Sequence, residues 1–492
     1  MKRTFVALLF TFITLSVASA NAEIHFLRSG DVPDEPPSRQ WNVNINGQDA
    51  KILAARTADP PFDGYNYGGN YSFLSVDADE PVALRVEKRG QIPAENLVVR
   101  PKSLGIVPKK NEDGSFTLTV DKPCQFSVEY NGREHPLLVF VNPLEKDVPD
   151  QNDPNVLYFG PGVHHPENGK IELTDNQTLY LANGAVVKCG VYAKGKNIAI
   201  RGRGVVDSTP WNWPQGPTGH VLQLVECQNL KIEGIVIRGA SHWTVVPVNC
   251  DDVNIDNIKI CGGRVQNDDG INPCNSRRVH VANTFIRTDD DCMALKGLDN
   301  SYGNCEDVTV ENCVFWCDRA RIVLMGHESR APYMRRVTFR NIDVIHAQTR
   351  NFLLEPGERM RMEDVLFEDI RFEMGQENAL PPEALEQMKN LDTSKLRFDI
   401  DVKNKDNWLF VGRPVVNQYM KTQEPGYIKN ITIRNITVDG PTSYCGILFS
   451  GADKEHTTEG LTIENVEVFG EKLDKKSPLI HIGDFISNVT LP

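Results

Sequence analysis

After the first twenty residues, no hydrophobic run in this 492-residue chain reaches membrane-spanning length. An integral membrane protein built from helices is thereby excluded, and no membrane insertion is expected. Basic residues are in the minority, with 53 Lys and Arg against 66 Asp and Glu, a net charge of −13. A surface of that sign disfavours nucleic acid and anionic membranes as partners. The 11 cysteines form no Cys-x-x-Cys pair and no Cys/His cluster at zinc spacing, so no metal and no cofactor are implied. Their odd number leaves at least one thiol unpaired within the chain, and buried thiols are the simplest expectation for most of them. No amphipathic helices alternate with the strand-like runs, which excludes a βα-barrel and a leucine-rich horseshoe. Nothing in the sequence specifies an oligomeric state.

What the chain does contain begins with a processing signal. Lys2 and Arg3 precede the apolar run Phe5 to Val17, and Ala18-Ser19-Ala20-Asn21-Ala22 supplies small residues for cleavage. Residues 1–22 are read as a signal peptide, so the mature protein is expected to be exported, secreted or periplasmic. Residues 23–150 read as a small β-sandwich. Alternating runs such as Trp41-Asn42-Val43-Asn44-Ile45 and Phe116-Thr117-Leu118-Thr119-Val120 are separated by the turn pairs Asn46-Gly47 and Asp113-Gly114. A polar segment with Pro149 and Pro154 follows.

Beyond it the pattern changes to apolar-x-apolar, two residues, then apolar-x-apolar, often with Asn at the fifth place. Copies start at Val253, Val279, Val308, Val337 and Val365, and again at Ile431 and Leu461. The first five are separated by 26, 29, 29 and 28 residues. A fixed period of this length marks a repeat architecture. Each copy is two short strands with a corner at the Asn, a residue that tolerates left-handed backbone angles. Residues 151–492 are therefore expected to form a parallel β-helix. Asn257, Asn283, Asn312, Asn341, Asp369, Asn435 and Asn465 should align at its corner. The period breaks near 373–427, an expected insertion bearing Trp408 that would border the groove. The sandwich would cap an end of the stack.

Two acidic clusters bracket the strand-like run Arg278 to Ile286. One is Asn267-Asp268-Asp269-Gly270-Ile271-Asn272-Pro273, the other Thr288-Asp289-Asp290-Asp291-Cys292-Met293-Ala294-Leu295-Lys296. One coil of chain between them brings the clusters side by side. Paired carboxylates in one groove suit acid-assisted hydrolysis of a glycosidic bond, in which one group donates a proton and another activates water. Trp211, Trp213, Trp243, Trp316 and Trp408 are candidates to stack on sugar faces, and equally good core or cap residues.

These two motifs, with Ser241-His242-Trp243-Thr244-Val245 before them, resemble the polygalacturonase family and the related dextranase and isopullulanase family. The resemblance covers roughly Tyr158 to Phe372. It implies an all-β fold, a right-handed parallel β-helix preceded by a small N-terminal β-sandwich domain. It also implies an inverting hydrolase of α-glycosidic bonds acting on a polysaccharide or oligosaccharide. By the same resemblance Asp290 is the general acid, and Asp269 and Asp291 hold and activate water. Lys296, Trp243, Asn267, Arg319, Arg321, His327 and Trp316 are candidate substrate contacts. Two features of polygalacturonases are missing. Cys317 to Gly326 contains no Gly-His-Gly, and His327 lies just outside it. The basic tripeptide that holds a substrate carboxylate is replaced by Asn351-Phe352-Leu353-Leu354-Glu355. The expected substrate is therefore a neutral or mixed glycan, with a polygalacturonase as the alternative within the class. Outside it stand a polysaccharide lyase, using calcium at the clustered aspartates, and a non-catalytic glycan-binding β-helix.

Overall fold

The computed structural model describes residues 23–65, 67–90, 97–130, 132–348, 351–389 and 408–492. The expected signal segment 1–22 lies outside them. Among the described residues the protein is a parallel β-helix preceded by a β-sandwich.

The sandwich pairs two sheets. One contains Ile24–Phe26, Tyr71–Ala78, Leu137–Asn142, Cys124–Glu129 and Val98–Arg100; the other is built around Trp41–Ile45, Val82–Lys88 and Phe116–Val120. Strict alternation explains the layering. Trp41, Val43 and Ile45 point into the core while Asn42 is exposed.

In the β-helix the repeat sets the register. Val253, Val279, Val308, Val337, Val365, Ile431 and Leu461 stack as direct parallel partners from coil to coil. Val281, Val310 and Phe339 form a second inward column, fully buried. The corner residues take left-handed angles throughout, from Asn257 at φ 52° to Asn465 at φ 49°. Their side chains make a ladder in part. Asn341 donates to Asn312 at 2.7 Å, Asn435 to Asp369 at 2.9 Å and Asn465 to Asn435 at 2.9 Å. Asn283 donates instead to Asp256, and Asn257 accepts from Gln125 of the sandwich.

One expectation about the architecture changes. The sandwich does not cap an end of the stack; it lies along the flank. Leu53, Tyr71, Phe73 and Phe140 pack on an outward apolar row of the coils that includes Val186, Val205, Val236 and Phe285. That row is too apolar to face water, and burying it outweighs closing the end coil. Buried ion pairs fix the contact: Arg203 to Asp77 at 2.7 Å, Arg238 to Glu35 at 2.7 Å and Arg264 to Asp59 at 2.6 Å. His346 bridges Glu129 of the sandwich at 2.9 Å and Glu377 at 2.8 Å. The expected insertion at 373–427, of which 390–407 lie outside the described residues, stands on a coil that still joins the stack. Phe410–Gly412 inside it pairs with Phe352–Glu355 before and Ile447–Phe449 after. All 11 cysteines are free thiols, ten of them buried.

Candidate active site

The site lies where the chain enters one face of the β-helix. Val245, Ile271 and Met293 occupy the same register on successive coils, and Val323 follows Met293. Counting two residues back from each gives Trp243, Asp269, Asp291 and Arg321. Backbone hydrogen bonds from Thr244 to Asp269, Gly270 to Asp291 and Cys292 to Arg321 fix this row. Neighbouring members are therefore about 4.8 Å apart. Asp291 reaches the row because residues 289–292 form a bend before the strand Met293–Gly297 begins. The bend also turns Cys292 into the core, where alternation alone would have left it outward beside Asp290.

Asp268 locks the two acidic motifs together. Its carboxylate accepts backbone N–H bonds from Gly263 at 2.7 Å and Arg264 at 3.1 Å, just ahead of its own motif. From the other it accepts those of Asp289 at 2.7 Å and Asp290 at 3.3 Å. A short acidic side chain is what such a cluster of donors selects. Asn272 donates to Asp269 at 2.8 Å, and Asn267 to Asp290 at 3.4 Å.

Asp269, Asp290 and Asp291 are all buried, with Asp290 the most open at 6% exposure against 2% for each of the others. Their surroundings separate their proton affinities. Burial, then the charge of Asp290, pushes Asp269 well above the ordinary carboxylate value, against the pull of Lys296. Burial also raises Asp291, opposed by Arg321 and reinforced by Asp290. For Asp290 burial acts upward too, but Arg319, Arg321 and Lys296 outweigh it and hold the group below its ordinary value. Asp289, also buried, is pushed up to about 6 against Arg319. Burial and mutual repulsion thus favour the neutral form at Asp269 and Asp291, while the surrounding cations favour the ionised form at Asp290. This differs from the simplest reading of the motif, in which Asp290 keeps its proton. Arg319 is the cause: it donates to Asp289 at 2.7 Å and to Asp290 at 3.1 Å.

The candidate contacts fall into two groups. Trp243 is half-buried, stacked on His220 with centroids 5.0 Å apart, and Lys296 lies 4.6 Å over its ring. Lys296 is also held by Glu328 at 2.9 Å and stands 3.9 Å from Asp269. Arg321 is 3.5 Å from Asp291, and its Nε is buried without a protein partner, as is Oδ1 of Asp269. Asn267 and Arg319 reach Asp290 directly. His327 stands farther along, bonded to Glu355 at 2.7 Å and stacked on Tyr419.

Trp316 is the correction. It is fully buried, sandwiched between Arg287 at 4.1 Å and His346 at 4.0 Å, with its indole N–H given to Asp318. No ring face is left for a sugar. Trp408 is likewise fully buried and belongs to an apolar cluster with Tyr444.

Several groups near the site escaped the sequence. Asn272, Asp268 and Asp289 lay inside the motifs and were legible as neighbours of the acids. Glu328 and Glu355 came from other coils and carried no local signal. The sandwich loop was also missed. Tyr65 and Tyr67 stack 5.7 Å apart; Gln266, next to Asn267, donates to the Tyr65 hydroxyl at 2.9 Å. Tyr67, buried beside Asp289, has its hydroxyl pushed far up by burial and by that carboxylate.

Comparison with known proteins finds similarity over part of the sequence and in the fold. Residues 183–316 match the model of Glycosyl hydrolases family 28. A probable exopolygalacturonase B of Aspergillus terreus is 25% identical over 228 residues, 41% of this chain and 50% of that protein. Another, from Emericella nidulans, is 27% identical over 184 residues, 33% of this chain and 38% of that protein. The chain thus spans about half the length, or less, of these curated relatives. Among solved structures, Dex49A from Penicillium minioluteum superposes with a TM-score of 0.57 at 13% identity, over 94% of this chain and 96% of that one. In fold, motif order and relatives, the chain is similar to the polygalacturonase and dextranase families of parallel β-helix glycoside hydrolases.

Proposed function

We propose that the protein is an exported glycoside hydrolase that cleaves α-glycosidic bonds of a neutral or mixed polysaccharide with inversion. One observation carries the reading. Three buried carboxylates meet within one coil step, between a half-buried Trp and an Arg, with unequal proton affinities. Such a set supplies both a proton donor and a base for water. Asp290, the most open, is placed to reach the leaving oxygen, while Asp269 and Asp291 stand stacked to hold water between them. Asp290 draws its proton from that pair once substrate excludes solvent and weakens its contact with Arg319.

A second assignment is favoured by the ligand-free electrostatics. Asp269, raised by burial and by Asp290, would be the donor, and Asp290, held low by Arg319, the base. The two assignments differ in which variant tolerates a substrate that needs no acid.

The neutral or mixed substrate is supported by the pairing of the site's cations. Lys296 is engaged by Glu328, and His327 and Arg413 by Glu355, at 2.9, 2.7 and 3.2 Å. A uronate carboxylate would have to displace these acids. The alternative, a polygalacturonase, has the names of the relatives in its favour.

The test is release of reducing sugar from dextran, pullulan, polygalacturonate and rhamnogalacturonan, with the product anomer followed by NMR and the ultraviolet spectrum recorded. Release of an inverted product from a neutral or mixed glycan is expected. Best turnover on polygalacturonate would instead select the alternative. A retained anomer would reject inversion, and an unsaturated product absorbing in the ultraviolet would make the protein a lyase.

A further inference from the structure

The face that carries the site changes character along its length. Its outward row, one residue after the core column at Val245 and Met293, reads Gln223, Val246, Asn272, Ala294, Leu324 and Leu353. Before Gln223 come exposed Glu172 and half-buried Tyr192; after Leu353 come buried Val411 and Leu448. The row is thus polar and at least half-open from Glu172 to Gln223, buried from Val246 through Ala294, and leucine-rich and covered beyond. The cover is supplied by the coil that carries the 373–427 stretch. Leu380, and Leu385 on the helix Pro382–Lys389, pack against Leu324, Leu353 and Val411 together with Trp408 and Tyr444. Trp408 occupies the same register as Asp269 and Asp291, fixed by its carbonyl bonding to the N–H of Asn351 as the carbonyl of Arg321 bonds to that of Cys292. It lies three coils beyond Asp291, about 14 Å away. On the open side, by contrast, a cleft of about 470 Å³ flanks the row, lined by Tyr192 and Gln223 among others.

We infer that the groove is a blind cleft: it takes a glycan chain by one end, lodges that end against the Trp408 cover, and releases a mono- or disaccharide per cut. The inference rests on the hydrolase reading above. A chain running along the row meets His220 and Trp243 and continues toward the cleft lined by Gln223 and Tyr192. Past Arg321 it meets a wall of buried leucines whose uncovering would expose apolar surface to water. An internal bond of a long chain cannot reach the acids without a path out of both ends of the groove. Bond cleavage itself is ordinary hydrolysis: the leaving oxygen takes a proton, water supplies hydroxide to the anomeric carbon, and no other reactant is needed.

The experiment uses the full-length protein on whichever soluble linear glycan of the panel it hydrolyses. Reducing ends, viscosity and product size are followed together from the first few per cent of reaction. A cyclic oligosaccharide of the same linkage is tested alongside. Expected are a mono- or disaccharide as the sole early product, a fall in viscosity that lags far behind bond cleavage, and an intact cyclic substrate. Early oligosaccharides of mixed length with a rapid fall in viscosity, or cleavage of the cyclic substrate, would overturn the blind cleft while leaving the hydrolase reading in place. No release from any glycan would sink both.

Discussion

Two rows of side chains run along the same coils, and they behave in opposite ways. At one corner, asparagines and an aspartate repeat coil after coil and in part satisfy one another, amide to amide or amide to carboxylate. At the other, successive coils place His220, Trp243, Asp269, Asp291 and Arg321 in line, and burial beside Asp290 raises the proton affinity of Asp269 and Asp291. The backbone is the same in both. A repeat lends its geometry to whatever side chain sits at a given place, so a neutral row becomes scaffolding and a charged one becomes chemistry. What distinguishes them energetically is desolvation. Amides lose little by stacking at a partly exposed corner, whereas buried carboxylates shift one another's protonation.

The comparison can be broken at its foundation first. Val310, fully buried in the inward column both rows depend on, is the target. Val310→Asp should abolish folding by burying an unpaired charge. Soluble protein with unchanged circular dichroism and thermal melting would contradict the packing. Next comes the acidic row itself. Asp290→Asn keeps the shape and should lower turnover of a natural glycan by at least about 100-fold. Measured on a glycosyl fluoride, which needs no protonation, Asp290→Asn should recover most of its activity if Asp290 is the donor. Recovery in Asp269→Asn instead would transfer that role.

A subtler change leaves the acids in place and alters only their field. Arg319→Gln removes the cation that does most to hold Asp290 below its ordinary value, so the Asp290 affinity for protons should rise. If Asp290 donates, the alkaline limb of the pH–rate profile moves up and activity extends to higher pH. If Asp290 is the base, the acidic limb moves up and activity at low pH is lost. An unchanged profile would mean Arg319 does not set the acid's charge. The smallest effect belongs to the other row. Asn312→Ala removes one rung and puts alanine at φ 56°, costing about 1–2 kcal/mol by denaturant unfolding with turnover unaltered.

Much of the β-helix was legible because its information is periodic and local. Spacing alone placed Val279, Val308 and Val337 in one column, and Asn at the fifth place of each repeat predicted a left-handed corner. The candidate acids were legible as a motif pair one coil apart. What the pattern hid was contingent on partners distant in sequence. Alternation assigned Asp291 inward and Cys292 outward, because a bend of four residues leaves no periodic trace. Trp316 and Trp243 look alike in their local strings; only the flanking sandwich, through Arg287 and His346, decides that one is core. The sandwich's place along the flank was hidden for the same reason, since an outward valine row reads like an inward one.

Because each coil contributes one side chain to the groove at a constant step, the row works as a set of addresses. On the proposed hydrolase reading, the Trp243 address would meet one sugar and the Arg321 address another, and the two are separated in sequence by 78 positions but in space by three steps. A change at one address leaves the strand pairing of its neighbours intact. Sugar preference at each position along the glycan can therefore be rewritten singly, as letters in a line of type, without resetting the rest of the page.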